Sequence, residues 1–375
     1  MISEHYFIKT VKLENFRGLS GTISLNRGLN IILGPNNSGK TTLLEALLFT
    51  SIINYSDVRE GLSKILVMEA ARGSERHAFE SIVPDINLSS IACVKLNNGE
   101  ESCIEIAKSV RLASQGVQIE SIVDVMLTSK HRNCKIIFSF GSAGVGIHAE
   151  GNECLAGPLS LGSITSGVLP YNIIDVLVGY IKKSNPEILN KIKVRIGGEV
   201  YTIDLGADPW NNMVALVIDN TSKRSIVFYS LGRGVQRAFQ ISLLAEVSNI
   251  LLIDEIESAM HPELLADVAR ILAEKAREKQ IIVTTQSREA AVMLASAILD
   301  HDHVTGDPVE LEELAYEKCD AGSKYEDLIS TIVLSRINNE VKQLFLSGCN
   351  AIYHLLGPAD PRMSYLLIPR HKGAT

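Results

Sequence analysis

Gly34-Pro35-Asn36-Asn37-Ser38-Gly39-Lys40-Thr41 is the stretch that decides how this chain folds. It satisfies every fixed position of G-x-x-x-x-G-K-[ST], and its surroundings give the match structural meaning. Leu29-Asn30-Ile31-Ile32-Leu33, just before it, is a short apolar run suited to a strand buried on both faces. Lys40 to Phe49, just after it, reads as an apolar helix. Strand, glycine loop and helix together make a phosphate cradle. Glycine lets backbone N–H groups curl around anionic oxygens, and the helix points its positive end at them. The candidate contacts are Asn36, Asn37, Ser38, Gly39, Lys40, Thr41 and Thr42, with Lys40 reaching the β- and γ-phosphates as a point charge. The Thr41 hydroxyl is a hard oxygen ligand for Mg²⁺.

A second half of the site lies far downstream. Ile250-Leu251-Leu252-Ile253-Asp254-Glu255 is an apolar strand ending in two carboxylates, and open α/β sheets bind ligands at such strand ends. Asp254 is placed to hold the Mg²⁺ hydration shell and Glu255 to polarise an attacking water. Phosphoryl transfer needs little more than positioning and charge neutralisation. Glu257 reads as a loop or supporting acid. Lys40 and Asp254 stand 214 positions apart, which leaves room for a large insertion. Guanine reading would need Asn-Lys-x-Asp; the nearest string, Asn190-Lys191-Ile192-Lys193, ends in lysine.

Ser230-Leu231-Gly232-Arg233-Gly234-Val235-Gln236-Arg237 precedes that strand. It resembles the signature motif of ABC-type ATPases, in the form used by the structural-maintenance-of-chromosomes (SMC), RecF-like and overcoming-lysogenization-defect branch. Glu14-Asn15-Phe16-Arg17-Gly18 is similar to the N-terminal element of that branch, and Glu255 to Pro262 to its Walker B and D-loop run. The likeness covers roughly the first 50 residues and Ser230 to about Leu294. It implies an α/β P-loop NTPase fold of ABC-ATPase type, a mixed sheet flanked by helices with an inserted α+β lobe. It also implies ATP as nucleotide and Mg²⁺ as cofactor. Two ATP molecules would be sandwiched in a head-to-tail homodimer, with Ser230, Gly232 and Gly234 touching the γ-phosphate held by the partner's Lys40. Arg17 would contact phosphate or base, or be a solvated loop arginine.

Two departures bear on turnover. Gln280 to Thr285 leads to Gln286-Ser287, where the branch usually has histidine then serine. Gln286 can hydrogen-bond a γ-phosphate or a water but carries no positive charge, so slow hydrolysis is expected, or charge supplied from elsewhere. No Q-loop is legible; Gln115 and Gln118 read as surface residues. Two functions stay open: an ATPase whose cycle opens and closes a homodimer, coupled to DNA maintenance or a defence effector, and an ATP-dependent clamp with little hydrolysis. The partner would be DNA or a separately encoded nuclease or effector.

The bulk numbers agree with a soluble cytoplasmic protein without a membrane. Of 375 residues, 46% are hydrophobic and 21% charged, and the net charge of -7 offers no broadly basic surface. The six cysteines (93, 103, 134, 154, 319, 349) form no C-x-x-C pair and are expected as reduced thiols. Gly162 to Ile181 is interrupted by Pro170, Asn172 and Asp175, a poor membrane span. Asp300-His301-Asp302-His303 reads as a solvated acidic loop rather than a metal cluster. The expected division is 1–90 and 230–299 for the two parts of the nucleotide lobe, 91–229 for the insertion and 300–375 for a C-terminal extension. Gly141 to Gly167 is expected to be loops, and Tyr325 to about Leu346 one long helix.

Overall fold

In the computed structural model residues 6–52, 89–115, 118–129, 135–141, 144–150, 161–164, 171–208, 210–300, 304–305, 307–319 and 325–368 are described. The chain opens with β1 (Ile8–Phe16), β2 (Leu19–Ser24), β3 (Leu29–Leu33) and α1 (Lys40–Ile52). A meander follows: β4 (Ser89–Leu96), β5 (Glu101–Gln115), β6 (Gln118–Ser129), β7 (Lys135–Gly141) and β8 (Gly144–Glu150), then β9 (Leu161–Ile164). Helices α2 (Tyr171–Ser184) and α3 (Glu187–Lys191) lead into β10 (Lys193–Ile196), β11 (Glu199–Ala207), β12 (Met213–Asp219) and β13 (Ser225–Val227). The remainder is α4 (Arg233–Val247), β14 (Ile250–Ile253), α5 (Pro262–Lys275), β15 (Gln280–Thr284), α6 (Arg288–Leu299) and α7 (Pro308–Cys319). It closes with β16 (Ile329–Ile337), β17 (Glu340–Ser347) and α8 (Gly348–Leu356).

Thirteen strands share one mixed sheet, in the order β8-β7-β6-β5-β4-β1-β2-β17-β16-β3-β15-β14-β9. Its centre, β9, β14, β15, β3 and β16, is parallel. Such strands must be apolar on both faces, and the register shows why. Leu29, Ile31, Leu33, Leu251, Ile253, Ile281 and Val283 enter one core. Their alternates Ile32, Ile250, Leu252, Ile282, Ile332 and Leu334 enter the other, against Leu43, Leu47 and Leu48 of α1. Both faces are dry, so a polar side chain survives there only if every group is paired. Asn30 of β3 meets that condition. Its Oδ1 accepts from Asn26 N–H (2.6 Å) and Ser330 Oγ (2.8 Å), and its Nδ2 donates to Asn26 O (2.9 Å) and Gly28 O (3.1 Å). The β2–β3 turn is thereby fastened to β16. The two-carboxylate strand β14 and the loop strand β3 lie on either side of β15 in one parallel register, which brings their C-terminal ends to the same edge. The architecture is the expected one in outline, a mixed sheet flanked by helices around a strand, glycine loop and helix. A second, four-stranded antiparallel sheet, β10-β11-β12-β13, lies within residues 193–227.

Three expectations are corrected. Tyr325 to Leu346 is not a helix; β16 and β17 form a hairpin paired from Ser330↔Ser347 to Ile337↔Glu340. Asn338 (φ 49°) and Asn339 (φ 64°) take the two left-handed positions that a tight two-residue turn demands, and asparagine tolerates them better than most residues. Ile329-Ser330-Thr331-Ile332-Val333, in which every residue but Ser330 is β-branched, pairs in parallel with β3. Within Gly141 to Gly167, expected as loops, β8 pairs with β7 and β9 pairs in parallel with β14. Finally, Cys93 and Cys103 face each other across β4 and β5 and are joined (S–S 2.06 Å), as are Cys319 and Cys349 (2.32 Å), in place of the expected free thiols. Cys134 and Cys154, His301 to His303 and Arg370 to Thr375 lie outside the described residues.

Candidate nucleotide site

The loop after β3 is shaped by steric exclusion. Gly34 (φ +145°) could not carry a Cβ: it would lie 2.5 Å from Leu334 O and 2.7 Å from Ser38 Oγ. Gly39 (φ +100°) and Asn37 (φ 65°) supply the other left-handed turns. Lys40 is buried at 7% exposure, and its Nζ donates to Gly34 O (2.8 Å) and Pro35 O (3.0 Å), folding the ammonium back over the loop. Burial lowers the Lys40 pKa, and the nearby charges of Asp254, Glu255 and Glu257 oppose that drift. Ser38 Oγ is buried with no hydrogen-bond partner among the described residues. An orphaned hydroxyl and a lysine capped by carbonyls suit an incoming anion, because a phosphate would satisfy both. Asn36 and Asn37 are exposed at the tip. Beside them a cavity of about 370 Å³ is walled by loop residues 35–38, by Ser335, Arg336, Asn338 and Asn339 of the hairpin, and by Tyr365.

The acids converge on the same place. Thr41 Oγ1 lies 3.2 Å and 3.3 Å from the two oxygens of Asp254. Thr284, at the end of β15, donates to Asp254 Oδ1 (2.6 Å) while accepting from the Glu255 N–H (2.9 Å). Glu255 sits at φ 49°, a strained conformation that turns the chain off β14. Its Oε1 accepts from Gln286 Nε2 at 2.9 Å. Glu257 takes a different part: it accepts from Thr285 Oγ1 (2.7 Å) and the Gln286 N–H (2.8 Å), holding the loop after β15. The hard oxygens of Thr41 and Asp254 fit Mg²⁺, which when bound would neutralise charge on the phosphates.

The signature segment touches this centre from behind. Gln236 Nε2 donates to Tyr229 O (3.2 Å) and Leu231 O (2.8 Å), fixing the turn before α4. Ser230 and Gly232 are exposed at the start of that helix. Gly234 is packed instead: a Cβ would meet Ala259 O at 2.4 Å. One turn on, Arg237 is fully buried, and its Nη2 donates to Asp254 O (2.6 Å) and Glu255 O (3.0 Å). Burial pulls its pKa down to about 10, against the attraction of Asp254, Glu257 and Glu255. Nothing in the sequence pattern gives Arg237 a part beyond its place one helical turn past Gly234. Arg17 (φ 50°), in the β1–β2 turn, pairs with buried Glu45 of α1 at 2.6 Å. Gln115 and Gln118 end β5 and begin β6. Among the described residues, the one group of three metal-ligand types within reach of each other is Cys93, Glu101 and Cys103, of which the two cysteines are joined.

The strand, glycine loop and helix, with two acids at the same sheet edge, form a phosphate-binding arrangement of P-loop type. Residues 7–131 match the family described as "AAA ATPase domain", and residues 180–291 the family described as "AAA domain, putative AbiEii toxin, Type IV TA system". Two stretches of the chain thus carry the likeness of AAA ATPase domains. A curated relative, the DNA double-strand break repair Rad50 ATPase of Methanopyrus kandleri, is 38% identical over 79 residues. That stretch is 20% of this chain and 9% of the relative, so the chain spans only a small part of it. Among solved structures, the SMC head bound to the C-terminal winged-helix domain of ScpA gives a TM-score of 0.47 at 15% identity, covering 91% of this chain and 98% of that one. The recombination mediator protein RecF, in a structure described as RecF-ATPrS in the RecFOR pathway, gives 0.40 at 14% identity, covering 90% and 98%. Among the described residues no helix is long and apolar enough to cross a membrane.

Proposed function

We propose that two copies of this chain close around two ATP molecules and reopen on hydrolysis, with the cycle passed to DNA or to a separately encoded effector. The observation that carries the reading is the convergence of Lys40, Thr41, Asp254, Glu255 and Gln286 on one sheet edge. Loop amides with Asn36 to Thr42 and Lys40 hold the phosphates, Thr41 and Asp254 hold Mg²⁺, and Glu255 orients the attacking water while Gln286 holds Glu255. Ser230 and Gly232, exposed at the positive end of α4, reach the γ-phosphate of a partner's site. Gly234 serves them by letting α4 approach Ala259. Residues 91–229 act as an inserted lobe on a cytoplasmic ATPase. Rad50's printed role in double-strand break repair supports a DNA partner, and the AbiEii description supports a defence effector.

Glu255→Gln separates the ATPase from the clamp. In the ATPase it lowers turnover by on the order of 10²-fold or more and traps an ATP-dependent dimer in size-exclusion light scattering. The Gln286–Glu255 hydrogen bond favours the second reading, a slow clamp, because a neutral amide stands at the switch. A clamp shows single-turnover rates that Glu255→Gln leaves unchanged. A monomer with and without ATP refutes the closed pair.

A further inference from the structure

The loop after β15 is held from three sides. The Gln286 N–H is given to Glu257 Oε1 at 2.8 Å, and its side-chain amide to Glu255 Oε1 at 2.9 Å. Its carbonyl accepts from Arg362 Nη1 at 3.2 Å. Arg362 lies in the short 3₁₀ segment Pro361–Leu367, 76 residues away in sequence, and is itself aimed by a forked pair with Asp360 (Nη2–Oδ2 2.6 Å, Nε–Oδ1 2.9 Å). A second bond runs the opposite way: Arg288 Nη2 donates to Gly357 O at 3.1 Å. Residues 286–288 and 357–362 are therefore clamped reciprocally, and both peptide groups flanking the Gln286 side chain are spoken for. With its backbone pinned, the exposed Gln286 side chain starts from a fixed point within hydrogen-bond reach of Glu255.

We propose that Arg362 is a positioning residue for ATP hydrolysis, holding the Gln286 backbone so that its side chain keeps the Glu255 carboxylate in place. The C-terminal segment thereby sets turnover without touching nucleotide. Met363, Leu366 and Leu367, exposed on that same segment, put the control within reach of the surface. This inference rests on Glu255 and Gln286 being the water-side groups of the site.

The test is steady-state ATPase on the full chain, with a double-mutant cycle. Arg362→Met should lower kcat about tenfold and leave KM for ATP within about twofold, since a misplaced catalytic group costs rate and not ground-state binding. Gln286→Ala should lower kcat comparably, and Arg362→Met in that background should add nothing, because the two act through one contact. Arg362→Lys, which keeps one donor, should recover part of the loss; it carries the same cycle should Arg362→Met fail to fold. Unchanged kcat, or losses that multiply in the double variant, overturn the inference. Lys40→Ala and Glu255→Gln are run alongside. If these abolish turnover while Arg362→Met is silent, only the positioning role falls; if they retain it, the reading of the site itself falls.

Discussion

Gly234 carries a constraint that has nothing to do with phosphate. Ala259 O would stand 2.4 Å from a Cβ there, and Ala259 itself holds φ 62° in the turn that follows Glu255. Backbone cannot yield as a flexible side chain can, so Gly234→Ala must push α4 away from the acid turn. Overpacking of this kind costs about 1–3 kcal/mol, and here the shift would also strain the Arg237 bonds to Asp254 O and Glu255 O. Urea unfolding should show that loss. Gly232→Ala is the control: nothing lies within 4 Å of its added Cβ, so stability should hold while any ATP-dependent association weakens. A signature glycine chosen for anion contact alone would give the same result at both positions. The buried guanidinium of Arg237 makes the same point from the other side. The sequence string led to the exposed residues of the motif, while the buried one that braces Asp254 and Glu255 carries no local mark distinguishing it from a solvated helix arginine.

At the scale of elements, what could be read in advance was whatever a single stretch of chain determines. β3, α1, α4, β14, β15 and α6 were legible because each combines an apolar run with a cap, a turn or a motif. The β16–β17 hairpin was not. Its apolar residues also recur at helical spacing, and only its parallel pairing with β3, some 300 positions away, selects the strand. β9 hid in a Gly- and Ser-rich stretch for the same reason, being defined by β14. The candidate site follows the same rule, since the loop and the acids, Glu257 among them, are readable in the chain while the parts of Thr284 and Arg362 are tertiary. The last contact of the hairpin region also yields a pH dependence. His354 of α8 pairs through Nε2 with Ser364 Oγ at 2.7 Å, and burial holds its imidazole below the ordinary value of 6.5. Between the folded value and 6.5 the unfolded chain binds a proton that the folded chain refuses. Stability is therefore full above pH 6.5 and falls as pH is lowered through the window beneath it. Urea midpoints at pH 7.5 and pH 5.5 should diverge for the parent, and less so for His354→Gln, which cannot titrate.

For the molecule as a whole, the continuity of the thirteen-stranded sheet has one consequence. β3, β15 and β14 end at the candidate nucleotide site, and β16 and β17 join them through β2 to the meander beyond. Nucleotide at the sheet edge should thus stabilise the nucleotide lobe in one cooperative transition. How the stabilisation depends on protein concentration tests the closed pair. A ligand that binds only the folded monomer contributes RT ln(1 + [L]/Kd), about 2.7 kcal/mol at a hundredfold excess over Kd, whatever the protein concentration. If each ATP is instead completed by Ser230 and Gly232 of a second chain, the bound state is a dimer and mass action adds a dependence on protein. Glu255→Gln with Mg-ATP should then gain Tm as protein rises from about 1 to 100 μM, whereas without nucleotide its Tm should not move. Adding Lys40→Ala should erase the nucleotide gain altogether. A gain that stays level across the protein series would leave ATP bound to single chains, with no role in trans for the start of α4.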